Sequence, residues 1–174
     1  LKLDEEKIIS NVFKLPEVLV SDIMIPRSDI ISIHADSTIK SLIKLIGRTN
    51  HSRYPVHDKN RDNIIGMVHI KDAISTWESK KKIKIKKLVR KLLFSPPSKT
   101  VLDLILEMRT SHTHMAIIID EHGGVDGLVT IEDLVEEIVG EIKDEHEGQE
   151  EKKENIYSVT SKGNIIVNAR MQIE

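Results

Sequence analysis

The chain has 174 residues, a formal net charge of −2 and 31% charged residues, a balance that excludes the strongly basic field of a general nucleic-acid binder. Aromatics make up 3%, too few for a platform that stacks single-stranded bases. The absence of cysteine excludes disulfides, thiolate metal sites and thiol catalysis.

With 39% hydrophobic residues the chain can bury the core of one large domain or two small ones. No apolar run approaches the ~20 residues of a membrane-spanning helix. The chain opens Leu1-Lys2-Leu3-Asp4, without initiator Met or signal-peptide pattern, and reads as a piece of a longer protein. An intracellular location fits the lack of cysteine.

Residues 1–18 predict a helix that stops near Pro16, since proline cannot continue it. After it the chain contains two copies of one unit, and such a repeat decides an architecture. Gly66-Met67-Val68-His69-Ile70-Lys71-Asp72 lies against Gly127-Leu128-Val129-Thr130-Ile131-Glu132-Asp133 at an offset of 61. Arg53-Tyr54-Pro55-Val56 is set against His114-Met115-Ala116-Ile117 at the same offset, whereas Thr38-Ile39 matches Thr100-Val101 at 62. His57-Asp58 and Ile119-Asp120 stand at 62 again. This reading puts one gap between helix and strand and a second in the turn before the glycine.

In each copy an amphipathic helix comes first, over about 37–48 and about 99–110; Ile39, Leu42, Ile43 and Ile46 carry the apolar face of the first. A short strand follows, Tyr54–His57 or Met115–Ile119, then a polar turn. A second strand runs Ile64–Val68 or Val125–Val129, and a second helix begins just after His69 or Thr130. Units of about 60 residues cannot each close a large core. The two are therefore expected to pack around a pseudo-two-fold axis in an α/β (α+β) fold.

The boundaries read 1–18 for helix and linker, 19–79 for the first copy and 80–140 for the second. Between Lys80 and Lys91 stand eight basic residues and no acid; with polar alternation through Ile83 and Ile85 this reads as a solvated linker. Residues 141–155 are acidic without apolar periodicity and read as a second linker. In 156–174, Ile156–Val159 and Asn164–Val167 flank a Ser161-Lys162-Gly163 turn, a β-hairpin. A hairpin cannot stand alone, so it reads as the truncated start of a further domain.

The doubled ending, Gly127-x-x-Thr130-x-x-Asp133 and its first-copy counterpart, resembles a tandem pair of cystathionine-β-synthase (CBS) domains. Asp22-Ile23-Met24-Ile25-Pro26-Arg27-Ser28-Asp29-Ile30, His51-Ser52-Arg53-Tyr54-Pro55-Val56 and the long stretch from Asp120 to Asp133 resemble one branch of that superfamily. That branch is the CorC/HlyC family, associated with magnesium and cobalt efflux and also labelled haemolysin C. The likeness covers about 4 to 155, and the hairpin resembles the start of the family's C-terminal transporter-associated domain. The resemblance implies a regulatory module rather than an enzyme. It would bind an adenine nucleotide, ATP or AMP, with or without Mg2+, and pair into a homodimer. It would serve a membrane transport domain or membrane protein outside this chain, from the cytoplasm at the inner face of the membrane.

Thr130 places a hydroxyl at a strand-to-helix junction, beside free backbone N–H groups and the positive helix end, which suits a phosphate. Asp133, one turn on, can accept hydrogen bonds from a ribose hydroxyl pair. The same tetrapeptide also reads as a capping box that only starts a helix. In the resembled family these two positions hold the phosphate and ribose of an adenine nucleotide. The first copy has His69 in place of the hydroxyl, a poorer N-cap. Asp72 and His69 thus form a doubtful second site, in which a protonated His69 would draw phosphate.

The resemblance makes Arg53 a phosphate contact through charge-assisted bonds; a plain surface Arg is the alternative. It places Ile25 and Pro26 in the segment lining the adenine pocket. Glu132 either orients a ribose or a magnesium-bound water, or is a solvated first-turn residue. His51 and His112 are read as equivalent in the repeat, which favours packing. His112 and His114 would share one face if extended, but no metal site is expected. No catalytic residue is assigned: there is no Gly-x-Ser-x-Gly elbow and no Walker loop. Two other readings are a ligand-free dimerisation module and a haemolysin-type cytolysin. The cytolysin reading has no signal peptide, membrane-active amphipathic stretch or pore-forming pattern behind it.

Overall fold

The computed structural model describes residues 3–78 and 83–140, with 157–159 and 165–167 beyond them. Residues 1–140 and 141–174 form separate units. In the first unit, α1 (Leu3–Lys14) ends ahead of Pro16, and α2 (Val20–Ile23) is a single turn. The first copy then runs β1 (Ile25–Pro26), β2 (Ile33–His34), α3 (Ile39–Thr49), β3 (Arg53–His57), β4 (Ile64–His69) and α4 (Ile70–Glu78). The second runs β5 (Leu93–Ser95), α5 (Val101–Ser111), β6 (Met115–Ile119), β7 (Val125–Thr130) and α6 (Ile131–Val139). The predicted elements are present, each within about two residues of its expected ends.

Local chemistry starts and stops the helices in the same way in both copies. The Thr38 and Thr100 hydroxyls accept from the N–H of Ser41 and Asp103 and cap α3 and α5. Asn50 and His112 end those helices in the left-handed region, each at φ 54°. These caps are 62 residues apart, and the sheets agree with them. Arg53 pairs with His69 as Met115 pairs with Thr130, and both ladders slip after Val56 and Ile118.

This corrects the sequence alignment of the first strand. Arg53 is the counterpart of Met115, not of His114, and His112 is the counterpart of Asn50, not of His51. The single gap lies in the turn between the two strands, the one stretch where length changes without disturbing a ladder.

The sheets have the orders β1-β7-β6-β5 and β2-β3-β4, so β1, at the start of the first copy, completes the sheet of the second. Ile25 pairs with Leu128, and Leu19 bridges Thr100. The reverse exchange occurs between the copies. Lys84 bridges Thr38, and Arg90 bridges Met67, the repeat counterpart of Leu128. The N–H of Val20 reaches Lys99 O at 2.9 Å and that of Ile85 reaches Ser37 O at 3.0 Å. Each copy is thus closed by a segment that enters from the other side of the pseudo-two-fold.

The solvated linker expected between the copies is therefore corrected. Among its described residues, Ile85 is fully buried in the cluster formed by Ile33, Leu42, Tyr54, Val56 and Val68. Lys84 and Lys86 reach Asp36 at 2.8 and 3.1 Å and hold its carboxyl down at about 2. Lysine stems can lie along apolar surface while their ammonium heads remain wet, which is how a basic run also supplies a core residue. Val20, the counterpart of Ile85, is fully buried among Leu15, Val101, Leu104 and Leu134. Residues 80–82 lie outside the described residues.

Both repeat glycines answer to these crossing segments. A Cβ on Gly127 would sit 2.7 Å from Ile25 O and 2.6 Å from Met24 Sδ; on Gly66 it would strike Arg90 O and Val89 Cγ1. Only glycine admits so close an approach. A third cluster joins the two sheets: Ile64 from the first copy meets Met115, Ile117, Val125 and Leu128 from the second.

In the second unit β8 (Tyr157–Val159) pairs antiparallel with β9 (Ile165–Val167), the hairpin read from the sequence. The acidic stretch 141–155 lies outside the described residues.

Candidate functional site

Where the crossing segments meet the sheets, the pseudo-two-fold leaves two related clefts. The first encloses about 270 Å3. Ile25 and Ile30 come from the segment ahead of the first repeat helix (α3), Arg53 from the start of β3, Leu128 and Thr130 from β7, and Glu132 from α6. Four of the sequence candidates, Ile25, Arg53, Thr130 and Glu132, thus stand around one space although the chain separates them widely. Pro26 pairs with Gly127 beside this wall, and Asp133 stands one turn behind Thr130.

Thr130 and Asp133 form the capping box. The Thr130 N–H and hydroxyl both donate to Asp133 Oδ2 at 2.7 Å, and the Asp133 N–H donates to Thr130 Oγ1 at 3.3 Å. Asp133 Oδ1 makes no hydrogen bond among the described residues and remains an open acceptor. Arg53 is largely buried, with 17% of its side chain exposed, and its Nη1 donates to Glu132 Oε1 at 3.0 Å. The carboxylate therefore occupies the guanidinium from the other copy. This assigns Glu132 a contact that its place in the first turn of α6 did not reveal. The cleft thus offers an apolar wall, a buried cation and a helix start bearing a hydroxyl.

Sequence reasoning missed Asn50 and Met115, which also line cavities here. Asn50 carries a usable signal, a left-handed helix end next to the strand that bears Arg53. Met115 could be placed only once the repeat register was known.

The second cleft, of about 430 Å3, is lined by Met67, His69, Arg90, Lys91, His112 and His114, with Arg53 and Met115 shared between the two. Its chemistry differs. His69 Nδ1 accepts from the Lys71 N–H at 3.0 Å, so the ring caps α4. Burial, aided by the nearby Arg53 charge, lowers its pKa. This works against the protonated, phosphate-drawing His69 expected from the sequence. Asp72 is held by Arg90 through both carboxylate oxygens, Nε to Oδ2 at 2.8 Å and Nη2 to Oδ1 at 2.6 Å. His112, as a left-handed cap, does not form an extended pair with His114. Among the described residues no group of three or more His, Asp or Glu is placed to hold a metal ion, and no helix is long and apolar enough to cross a membrane.

The lowered pKa of two histidines predicts a pH dependence of stability. His57, hydrogen-bonded to Ser32 Oγ at 3.0 Å, has its pKa lowered by burial and by His34, as His69 has by burial and Arg53. The unfolded chain takes up these protons near 6.5, the folded chain only at lower pH. Stability is therefore full above about 6.5 and falls as pH drops below it. The melting temperature should be lower at pH 5.5 than at pH 7.5, and H57Q should reduce the difference. An unchanged slope in H57Q and H69Q would remove these groups as its cause.

Two copies of a helix-strand-strand-helix unit, each closed by the other's crossing segment and facing across paired clefts, define a tandem CBS-domain pair. The model of the CBS domain family matches residues 20–78 and 85–140, and the chain belongs to that family, in its CorC/hemolysin C branch. Hemolysin C of Rickettsia prowazekii (strain Madrid E) is 43% identical over 175 residues, covering 100% of this chain and 57% of the relative. The chain thus spans little more than half the length of the curated relatives it matches. The CBS domain of the bacterial CNNM/CorC family Mg2+ transporter in complex with ATP is 35% identical, with TM-score 0.76, over 79% of this chain and 99% of that one. A CBS-domain pair with bound AMP from Klebsiella pneumoniae is 28% identical, with TM-score 0.63, over 71% and 99% of the two chains.

Proposed function

We propose that this chain is a regulatory module that binds an adenine nucleotide in the first cleft and couples its occupancy to divalent-cation efflux, of magnesium or cobalt. The observation that carries this reading is the convergence of Arg53 and Thr130 on the apolar wall of Ile25 and Leu128, with Asp133, whose Oδ2 holds the Thr130 cap, one turn behind. Phosphate would take the Arg53 guanidinium from Glu132 and lie at the start of α6. Ribose hydroxyls would donate to Asp133, and the base would lie against Ile25 and the neighbouring Pro26. The similar structures with ATP and with AMP support the ligand class. Both copies supply walls of the cleft, so a ligand there favours one mutual arrangement by population shift. The receiving element would be a membrane transport domain at the inner face of the membrane.

Ligand-dependent melting tests this reading, since a molecule that binds only the folded state raises the melting temperature by mass action. ATP, ADP or AMP should raise it. D133N, which keeps a capping acceptor, should lose most of the rise, and D72N should keep most of it. The readout is the shift and not the starting value, because disturbing the cap alone costs about 1 kcal/mol. A D133N response equal to the parent's would defeat the assignment.

A pairing surface has its own support. Ile74 and Trp77 on α4 and Val135 and Val139 on α6 are exposed, at 43, 51, 39 and 42%. Apolar helix faces of this kind fit the proposed homodimer, with or without nucleotide.

A further inference from the structure

The two clefts are built from counterpart positions of the repeat, and the crossing segments enter them differently. Ile25 faces Leu128 across the ladder of the first cleft, and Arg90 takes the same place opposite Met67 in the second. From Ile25 to Ile33 of β2 the chain has three more residues than from Arg90 to Ser95, the counterpart of Ile33. The longer route holds the turn Arg27–Asp29 and sets Ile30 into the first cleft. The shorter route sets Arg90 and Lys91 into the second.

We infer that Arg90 is the specificity-determining residue that limits this chain to one nucleotide per pair of copies, by occupying in the second cleft the places that base and ribose would take. The inference rests on the nucleotide reading above. Three observations carry it. First, a charged guanidinium stands where the first cleft has the apolar wall of Ile25. Second, it grips both oxygens of Asp72, whereas Asp133 keeps Oδ1 open. A neutral ribose hydroxyl does not displace a bidentate charge-assisted donor from a carboxylate. Third, Arg90 is rooted. Its N–H donates to Met67 O at 2.8 Å, its O accepts from the Met67 N–H at 3.0 Å, and it packs over Gly66. The side chain is therefore delivered to Asp72 by the ladder and not by chance contact.

His69, in place of Thr130, is a further difference between the clefts, and it can be separated. If the histidine were the barrier, a hydroxyl there would open the second cleft. If Arg90 is the barrier, H69T alone leaves it closed and R90I opens it. Removing the side chain spares the backbone ladder to Met67, and R90M supplies a second apolar version with a longer reach.

The experiment is native mass spectrometry of the full chain with ATP and with AMP, on the parent, H69T, R90I, R90M and R90I/H69T, each checked for a cooperative melt. One nucleotide is expected on the parent and on H69T. Two are expected on R90I/H69T and on at least one single Arg90 variant, the second bound at least tenfold more tightly than any second event on the parent. Adding D133A to R90I/H69T should return the count to one. Parent, R90M and R90I/H69T all stopping at one would overturn the inference and leave the nucleotide reading standing. So would two nucleotides on the parent or on H69T. A parent that takes none would overturn the nucleotide reading, and this inference with it.

Discussion

Ile85→Ala is expected to destabilise the unit by about 3 kcal/mol, or roughly 10 °C in melting temperature. Its side chain is fully buried against five or more apolar neighbours of the first copy. Truncation removes apolar area and leaves a cavity that the clamped flanks cannot close. The Ile85 N–H is fixed to Ser37 O and the Lys86 N–H to Ala35 O, so the segment cannot settle inward. Lys87→Ala, two residues further on and exposed, should stay within about 0.5 kcal/mol of the parent. Thermal and urea melts of the two variants decide the matter. Equal, small effects would mean that residues 83–90 do not belong to the core.

Arg53→Ala is expected to weaken ATP about tenfold to a hundredfold, since a hydrogen bond to a charged group contributes about 1.5–3 kcal/mol. AMP should lose less, because its single phosphate can still lie on the start of α6. The guanidinium is largely buried and already paired with Glu132 at 3.0 Å, so a phosphate competes with a carboxylate for it. E132Q should accordingly tighten ATP. The remaining negative charge of a triphosphate beside Glu132 and Asp133 would be relieved by Mg2+, an ion that keeps most of its waters when it binds phosphates. Mg2+ should therefore tighten ATP several-fold and leave AMP nearly unchanged. Calorimetric titration of parent and R53A, with and without Mg2+, measures all of these. Equal ATP affinity in parent and R53A would take Arg53 out of the site.

The repeat and the order of its elements were legible in the residues, because apolar period and helix caps act over a few positions, whereas Ile25 and Arg53 were pointed to only by the family resemblance. Thr38, Thr100 and Thr130 announce helix starts through a local hydrogen bond that any reader of the chain can anticipate. The register of β3 and β6 was not legible in this way. Matching Arg53 to His114 or to Met115 differs by one position in a stretch with little identity, and only the ladders to His69 and Thr130 decide. The exchange of closing segments was hidden for a different reason. Val20 and Ile85 are single buried residues in runs dominated by charge or turn, and their partners lie in the other half of the chain. Aligning Leu19-Val20 with Lys84-Ile85 would have been the signal. Asp72 looked like a weaker Asp133 from its neighbour His69, whereas its actual partner, Arg90, is brought to it by the crossing strand.

The exchange of closing segments also sets the order in which the protein can finish folding as it leaves the ribosome. Domains generally form from the N-terminus as they emerge. The first copy has everything it needs once Ile85 and Arg90 are out, so it can consolidate while the second is still being made. Leu15, Val20 and Ile25 emerge ahead of the rest of this unit, yet their partners Val101, Val129 and Leu128 come roughly 85 to 115 residues later. These early residues remain uncovered until the second copy is complete, and they close a long loop as they dock, a step whose entropy cost slows assembly. Within this unit the segment made before the first copy is then the last to be seated, and a nascent chain stalled between the copies presents an apolar strap with nowhere to go.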